Sequence, residues 1–156
     1  VIVSSHPADQ DFWQSPKAMY GAEPALKGAR GGTMIMISPN YEGIGPHPEY
    51  PEYMARDDGD AIVRACIAGE DIPGDRLAIA VGNSMSKMRR RRKLVVVGDG
   101  VTAEEMASCG CRHYPLSALQ QAIDDAVAEY GDCRIAAMSG GAEAFLYDDC
   151  PNGGAL

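Results

Sequence analysis

Residues 5–17 carry the side chains of this chain that are best suited to chemistry. They read Ser-His-Pro-Ala-Asp-Gln-Asp-Phe-Trp-Gln-Ser-Pro-Lys and include the single tryptophan of the 156 residues. The segment links an apolar opening, Val1–Val3, to a helix that Ser15 and Pro16 are predicted to begin, with Ser15 as its cap. In open α/β sheets, loops of this kind line the crevice at the carboxyl ends of the strands, where such folds bind ligands. The segment therefore predicts a ligand site.

Gln14 and Lys17 are the strongest candidates within this segment. They are three residues apart across the predicted helix start, so both side chains project from one side of the first turn. That turn also exposes backbone N–H groups and the positive end of the helix dipole. Amide, ammonium and helix end together suit a small carboxylate. A surface glutamine beside a solvated lysine is the alternative, and the spacing alone leaves both open.

Two histidines lie in loops and have two interpretations each. His6 precedes Pro7, and it can act as a general acid or base because histidine titrates near neutrality. The favoured interpretation is a hydrogen bond to a neighbouring loop. His47 lies between two prolines in the predicted loop 39–53, whose length is typical of a functional loop. It is favoured to be a rim residue without chemistry.

Cys109, Cys111 and His113 superficially resemble metal ligands. Zinc sites require about two to four residues between cysteines and a second half-site, and the sequence offers neither, so no metal is predicted. Cys66 and Cys133 lie in apolar patterns and are predicted to be small core residues. Reduced thiols favour the cytoplasm.

The charge of the chain argues against nucleic acid as a partner, and its hydropathy argues against a membrane. The net charge is −8 and the pI about 4.8, whereas phosphate binding needs a basic surface. The basic run Arg89–Lys93 is predicted to end a helix as a solvated face that offsets the helix dipole. No apolar run approaches the ~18 residues of a membrane helix. Gly98 and Gly100 after an apolar strand are only a weak dinucleotide signal.

Apolar strands alternate with amphipathic helices, which predicts an α/β fold. The expected architecture is a Rossmann-like three-layer sandwich, with a mostly parallel sheet and helices on both faces. The predicted strands are Val1–Ser4, Thr33–Ile37, Leu94–Val97 and Arg134–Met138. The predicted helices run from Ser15 to about Lys27, from Asp58 to Ala68 and from Asp75 to about Arg92, with capping-box starts at Thr102 and Ser117. One domain is expected over residues 1–147 and a loose tail over 148–156. Because the chain opens on a strand, we expect it to be a piece of a longer protein.

Three segments carry a resemblance to a known family. They are Ser-Ser-His-Pro-Ala-Asp-x-Asp-Phe-Trp-Gln-x-x-Lys-x-x-Tyr at 4–20, Gly-Gly-Thr-Met-Ile at 31–35 and Glu-Gly-Ile-Gly-Pro-His-Pro-Glu-Tyr at 42–50. Together they resemble the C-terminal domain of the nickel-pincer-dependent lactate racemase family. The resemblance implies a two-domain enzyme whose N-terminal domain holds the nickel-pincer nucleotide and the acid–base histidines. That domain is absent here, so we expect no catalytic residue in this chain and no activity from the isolated fragment.

The resemblance also assigns roles to residues of this chain. It implies that Gln14 and Lys17 bind a 2-hydroxy acid, in a racemase or epimerase that transfers hydride reversibly at C2. Leu77 takes the place of a tryptophan of the lactate-specific members, which leaves the particular acid open. The further supporting positions are His6, Trp13 and His47. The expected partner is the N-terminal domain of the same polypeptide. The alternatives are a non-catalytic small-acid-binding or scaffold module and a nucleotide-binding Rossmann-like domain.

Overall fold

Five strands form one parallel sheet in the structure, a computed structural model that describes residues 1–26 and 31–146. The strands are β1 (Ile2–Ser4), β2 (Thr33–Ile37), β3 (Lys93–Val97), β4 (Arg112–Tyr114) and β5 (Ala137–Met138). Their order is β4-β3-β2-β1-β5, and every neighbouring pair is parallel. The central strands are continuous apolar runs because both of their faces are covered. The predicted α/β class and parallel sheet are confirmed.

Helices lie on both faces of this sheet, as predicted. They are α1 (Lys17–Ala22), α2 (Tyr50–Ala55), α3 (Gly59–Ile67), α4 (Arg76–Arg91), α5 (Ala103–Ser108) and α6 (Leu119–Tyr130). Successive strand residues point to opposite faces. Met34 and Met36 of β2 therefore lie in the larger core with α1, α2, α4 and α5, whereas Ile35 packs with α6. Within the described ranges, no helix has the length and apolar character needed to span a bilayer.

The winding of the chain places the predicted site loop at the carboxyl edge of the sheet. Strands β1 to β4 follow one another in one direction, and β5 lies on the far side of β1. Right-handed crossovers explain why the helices between β1 and β4 share one face and α6 lies on the other. The winding direction reverses between β1 and β5, and α/β sheets generally bind ligands at the carboxyl ends of their strands. The loop that leaves β1 is the one that carries Gln14.

The helix predicted from Ser15 to about Lys27 is shorter than expected. α1 ends at Ala22 and a 3-10 turn, Glu23–Leu26, follows. Pro24 lacks an N–H and its ring would clash with the carbonyl four residues earlier, so the α-helix cannot continue through it. Ser15 makes no capping hydrogen bond, so that prediction is wrong. Lys27 and the predicted tail 148–156 lie outside the described residues.

Three further local predictions are wrong. The loop 39–53 ends early because α2 begins at Tyr50, with Pro51 in its first turn where no N–H is required. No capping hydrogen bond forms at Ser117, since α6 starts at Leu119 after a 3-10 turn. Cys133 is exposed rather than in the core, because the last strand is Ala137–Met138 and not Arg134–Met138. By contrast, the capping box from Thr102 to Glu105 is confirmed.

The basic run at the end of α4 binds groups of its own chain. Arg89 donates to the carbonyl oxygens of Met54 and Ala55, at 3.2 and 2.9 Å, where α2 ends. Lys93 lies 2.5 Å from Glu129 of α6. The prediction of a purely solvated face is thus wrong for Arg89, because its guanidinium donates to the last carbonyls of a neighbouring helix.

Candidate functional site

Two loops at the carboxyl edge of the sheet form one hydrogen-bonded layer. The first loop (residues 5–16) follows β1 and the second loop (residues 38–49) follows β2. Four backbone bonds join them: Asn40 N to Asp9 O (3.0 Å), Glu42 N to Gln10 O (2.9 Å), Phe12 N to Gly43 O (2.8 Å) and Trp13 N to Ile44 O (3.0 Å). Paired backbone groups fix both loops much as strand pairing fixes a sheet. The second loop is therefore ordered, although it contains no helix or strand.

Gln14 and Lys17 lie side by side where the first loop enters α1. The Lys17 ammonium donates a hydrogen bond to Oε1 of Gln14. An ammonium has three N–H donors and an amide nitrogen two, so this contact uses the amide oxygen and leaves donors on both residues. Lys17 is exposed and Gln14 half-buried. The pair presents N–H groups and a positive charge, the chemistry that binds a carboxylate.

The backbone at this point contributes less than predicted. The first N–H groups of α1 are not free: Lys17, Ala18 and Met19 donate to the carbonyls of Gln14, Ser15 and Pro16 at 2.9–3.1 Å. The turn is fixed further upstream, where buried Asp11 accepts from the Gln14 N–H at 2.8 Å. α1 has only six residues, so its dipole is small. Any attraction for an anion comes from the two side chains.

His47 is held on two sides. Its Nδ1 hydrogen-bonds Oδ2 of Asp75, and its ring lies against Trp13 with 3.9 Å between the centroids. Trp13 also contacts the edge of Tyr50, at 5.1 Å. The hydrogen bond from His47 lowers the pKa of the Asp75 carboxyl. His47 is thus a fixed element of the site surface rather than an isolated rim residue.

Asp75 connects this cluster to α4. It is the N-cap, and its Oδ1 accepts from the N–H groups of Leu77 (2.8 Å) and Ala78 (3.3 Å). Its own N–H donates to Glu49 Oε2 at 2.7 Å. Leu77 is 59% exposed in the first turn of α4. Asp75 and Glu49 were not predicted as site residues. The available signal was the Asp-Arg-Leu helix start, which predicted where the helix begins but not the histidine partner of Asp75.

His6 lies at the rim of the first loop. Its side chain is 72% exposed, and Nδ1 is 3.4 Å from Oδ2 of Asp9, three residues on. The bond lies within the loop of His6 itself, whereas the sequence favoured a bond to a neighbouring loop. Within the described residues, His6 makes no hydrogen bond or ion pair with Gln14, Lys17 or His47.

The glycines after β3 serve backbone packing. A Cβ at Gly98 would collide with the carbonyl oxygen of Ser38, and one at Gly100 with that of Asn40. Gly100 also donates to the carbonyl of Pro39 at 2.9 Å. The second loop thus lies directly on this turn, which explains both glycines without a nucleotide.

Cys109, Cys111 and His113 also have structural roles. Cys111 donates to the carbonyl of Met106 (2.8 Å) and Gly110, with φ of +77°, to that of Ala107 (3.0 Å). These two bonds close α5 as a Schellman motif. His113 bonds the carbonyl of Gly98 at 2.8 Å. The hydrogen bond with Cys109, together with burial, raises the pKa of the Cys111 thiol. In the ranges 1–26 and 31–146, no group of three metal-binding side chains occurs.

A cavity of about 390 Å³ lies away from these residues, between α6 and the amino end of the sheet. Val1, Leu26, Ile123 and Tyr130 are among its lining residues. It contains none of Gln14, Lys17, His47 or Leu77. This cavity is therefore separate from the candidate site, which lies at the opposite edge of the sheet.

Solved structures share this fold. Among them is the lactate racemase apoprotein from Thermoanaerobacterium thermosaccharolyticum, with a TM-score of 0.69 and 19% sequence identity over 93% of this chain. The chain spans 34% of the length of that protein. At this identity, the similarity establishes the Rossmann-like α/β fold. No protein-family model matches the sequence, and no curated protein is significantly similar to it.

Proposed function

We propose that this chain is the C-terminal, substrate-facing domain of a 2-hydroxyacid racemase or epimerase related to lactate racemase. The observation that carries the proposal is the Gln14–Lys17 pair, two polar donors in contact at the ligand-binding edge of the sheet. The fold shared with a lactate racemase apoprotein and the resemblance of residues 4–20, 31–35 and 42–50 support it.

Each site residue has a distinct role in this proposal. Lys17 holds the substrate carboxylate through a charge-assisted hydrogen bond. Gln14, whose oxygen is used by Lys17, donates its amide N–H to the carboxylate or the 2-hydroxyl group. Leu77 faces the substituent at C2 and sets the size that the site accepts. Trp13 and His47 form the wall beside Gln14, and His6 remains at the rim.

The nickel-pincer nucleotide is assigned to a separate N-terminal domain of the same polypeptide. Such a cofactor supplies hydride acceptance at C2 when it is bound. The described part of this chain offers no metal-binding cluster, so none of its residues is assigned to the cofactor. This division suits a site that is an open surface, because a second domain can close over it and exclude water. The fragment alone is expected to be inactive.

The proposal includes a cytoplasmic location and no nucleic acid or membrane as partner. The described cysteines are free thiols, as a cytoplasmic protein requires. The arginines that could suggest nucleic acid binding contact acids and carbonyls of the chain itself.

A non-catalytic domain that binds small acids is the second candidate, favoured by the absence of a catalytic group at the Gln14–Lys17 pair. A nucleotide-binding domain is disfavoured, because Gly98 and Gly100 are occupied by packing against the second loop.

The test uses the full-length, cofactor-loaded parent protein and a panel of 2-hydroxy acids. We expect Lys17→Ala to lower kcat/KM by about 10- to 100-fold while the protein stays folded, since a hydrogen bond to a charged group contributes about 1.5–3 kcal/mol. Lys87→Ala is the matched control, because Lys87 of α4 forms an ion pair with Asp60 of α3, at 2.7 Å. Racemisation of no acid by the loaded wild type would refute the enzymatic function. Binding of the acids without turnover would favour the non-catalytic candidate.

A further inference from the structure

His47 has an incomplete set of hydrogen bonds for a histidine that is largely buried. Its side chain is 20% exposed, its Nδ1 bonds Asp75, and no described residue hydrogen-bonds its Nε2. The contacts that hold the ring are the Asp75 carboxylate and the indole of Trp13.

Asp75 forms hydrogen bonds with two residues of the second loop and with two N–H groups of α4. His47 and Glu49 bind it from the loop, and Asp75 in turn caps the N–H groups of Leu77 and Ala78. The carboxylate therefore fixes the second loop to the helix turn that presents Leu77.

Gln14 and Lys17 are linked through Trp13 to the second loop, which carries His47. Gln14 follows Trp13, whose N–H bonds Ile44 of the second loop at 3.0 Å and whose ring lies on His47. The two loops move together because four backbone bonds join them. The His47–Asp75 pair is thus a side-chain connection, beside that of Glu49, between the unit that carries Gln14 and Lys17 and the helix that carries Leu77.

We infer that the His47–Asp75 pair is a positioning and specificity-determining device. It sets the distance between the Gln14–Lys17 pair, which holds the carboxylate, and Leu77, which faces the substituent at C2, and so selects 2-hydroxy acids by side-chain size. The inference rests on the proposed function for its substrate, and on the geometry of the described residues for the connection itself.

The connection is tested in the 156-residue chain through its single tryptophan. The indole lies on the His47 ring, so its emission reports on the position of that ring. We expect Asp75→Ser, which retains a capping side chain but is too short to reach His47, to shift the emission maximum of Trp13. In His47→Phe, which keeps a ring on Trp13, the same Asp75→Ser change should shift it no further, because the two residues act as one unit. Asp9→Ser, which removes the partner of His6, is the matched control and should leave the maximum unchanged. An unchanged maximum in Asp75→Ser, or an equal shift in the His47→Phe background, would overturn the connection.

Selectivity is tested in the full-length, cofactor-loaded enzyme with lactate and the larger 2-hydroxy-4-methylpentanoate. We expect His47→Phe to change the ratio of the two kcat/KM values by about tenfold, as for other pockets that discriminate by methyl groups. His47→Asn, whose amide replaces the Nδ1 donor, should restore part of the ratio. Lys17→Ala should lower both values equally. An unchanged ratio in His47→Phe overturns the specificity role. If the wild type racemises neither acid, the proposed function fails, and the fluorescence result still decides the connection.

Discussion

The buried hydroxyl of Tyr50 stands out at the scale of the residue. The side chain is fully buried against Phe12 and Trp13, and its oxygen has no hydrogen-bond partner among the described residues. Burial raises the pKa of this phenol well above its ordinary value, so the group is neutral. An unsatisfied buried hydroxyl costs about 1–3 kcal/mol.

Tyr50→Phe should therefore stabilise the protein. The change removes the unpaired oxygen and keeps the aromatic contacts, so we expect a gain of about 1 kcal/mol and a rise in Tm of about 2–4 °C. Thermal unfolding followed by circular dichroism measures it. Tyr41→Phe is the control, because Tyr41 is 64% exposed and should leave Tm unchanged. A lower Tm in Tyr50→Phe would mean that the hydroxyl makes a stabilising contact.

At the scale of the element, the end of α2 depends on a side chain of α4. Arg89 Nη2 donates to the carbonyl of Ala55 at 2.9 Å and to Asp57 at 2.6 Å, while its Nε donates to Met54. α2 has six residues, too few for a helix that is stable without tertiary contacts. The arginine therefore positions the short helix whose first residue is Tyr50.

We expect Arg89→Ala to destabilise the protein by about 1–3 kcal/mol, the cost of leaving hydrogen-bonded groups without their charged partner. Arg64→Ala is a suitable control, since Arg64 is exposed on α3 and a surface substitution changes stability by less than about 0.5 kcal/mol. Urea denaturation compares the two variants. Equal midpoints would show that Arg89 is a solvated residue after all.

The joined loops give a second prediction at this scale. Because the N–H groups of Phe12 and Trp13 donate to carbonyls of the second loop, opening one bond strains the next. We expect these two amides to exchange with solvent slowly and at similar rates, as one cooperative unit. Hydrogen exchange followed by NMR gives the rates. Fast and unrelated exchange of the two amides would show that the loops move independently.

At the scale of the whole molecule, paired carboxylates on several elements make the fold sensitive to acid. Hydrogen bonds and neighbouring cations lower the pKa values of five half-buried or exposed carboxyls: Asp58, Asp60, Asp75, Asp125 and Glu129. Each binds protons less readily in the folded chain than in the unfolded one. Their contribution to the free energy of unfolding is thus complete when the pH is above their ordinary pKa values, which are 3.8 for Asp75 and 4.5 for Glu129. This contribution is lost as the pH falls through the lower pKa values of the folded state.

We therefore expect the urea midpoint to fall steadily between about pH 4.5 and pH 2.5, as the paired carboxyls take up protons. Glu129→Gln, which removes the charge between Lys93 and Arg112, should make this fall less steep. Glu104→Gln, which changes an exposed carboxyl of α5, is the control and should leave the steepness of the fall unchanged. A midpoint independent of pH across this range contradicts the prediction.

The sequence predicted the site loop but not the organisation of its side chains. Gln14 and Lys17 are three residues apart, so helical spacing predicted that they project from one side of the turn, and the structure brings them into contact. Their free helix N–H groups were predicted wrongly, because the turn that begins at Asp11 already engages that backbone. The partner of His47 is 28 residues away, and no local pattern identifies such a partner. The substrate-binding roles of Gln14, Lys17 and Leu77 remain predictions.

By itself, the sequence determined the α/β class and the parallel sheet, and it predicted the loop at which a ligand would bind. These depend on apolar periodicity and on turn residues, which act over a few neighbouring positions. Only the tertiary structure decided that Asp75 joins His47 to α4, that Arg89 ends α2, and that the glycines after β3 accommodate the second loop. The physical reason is that each of these contacts joins groups distant along the chain. Their partners become neighbours only after the strands have paired and the helices have packed.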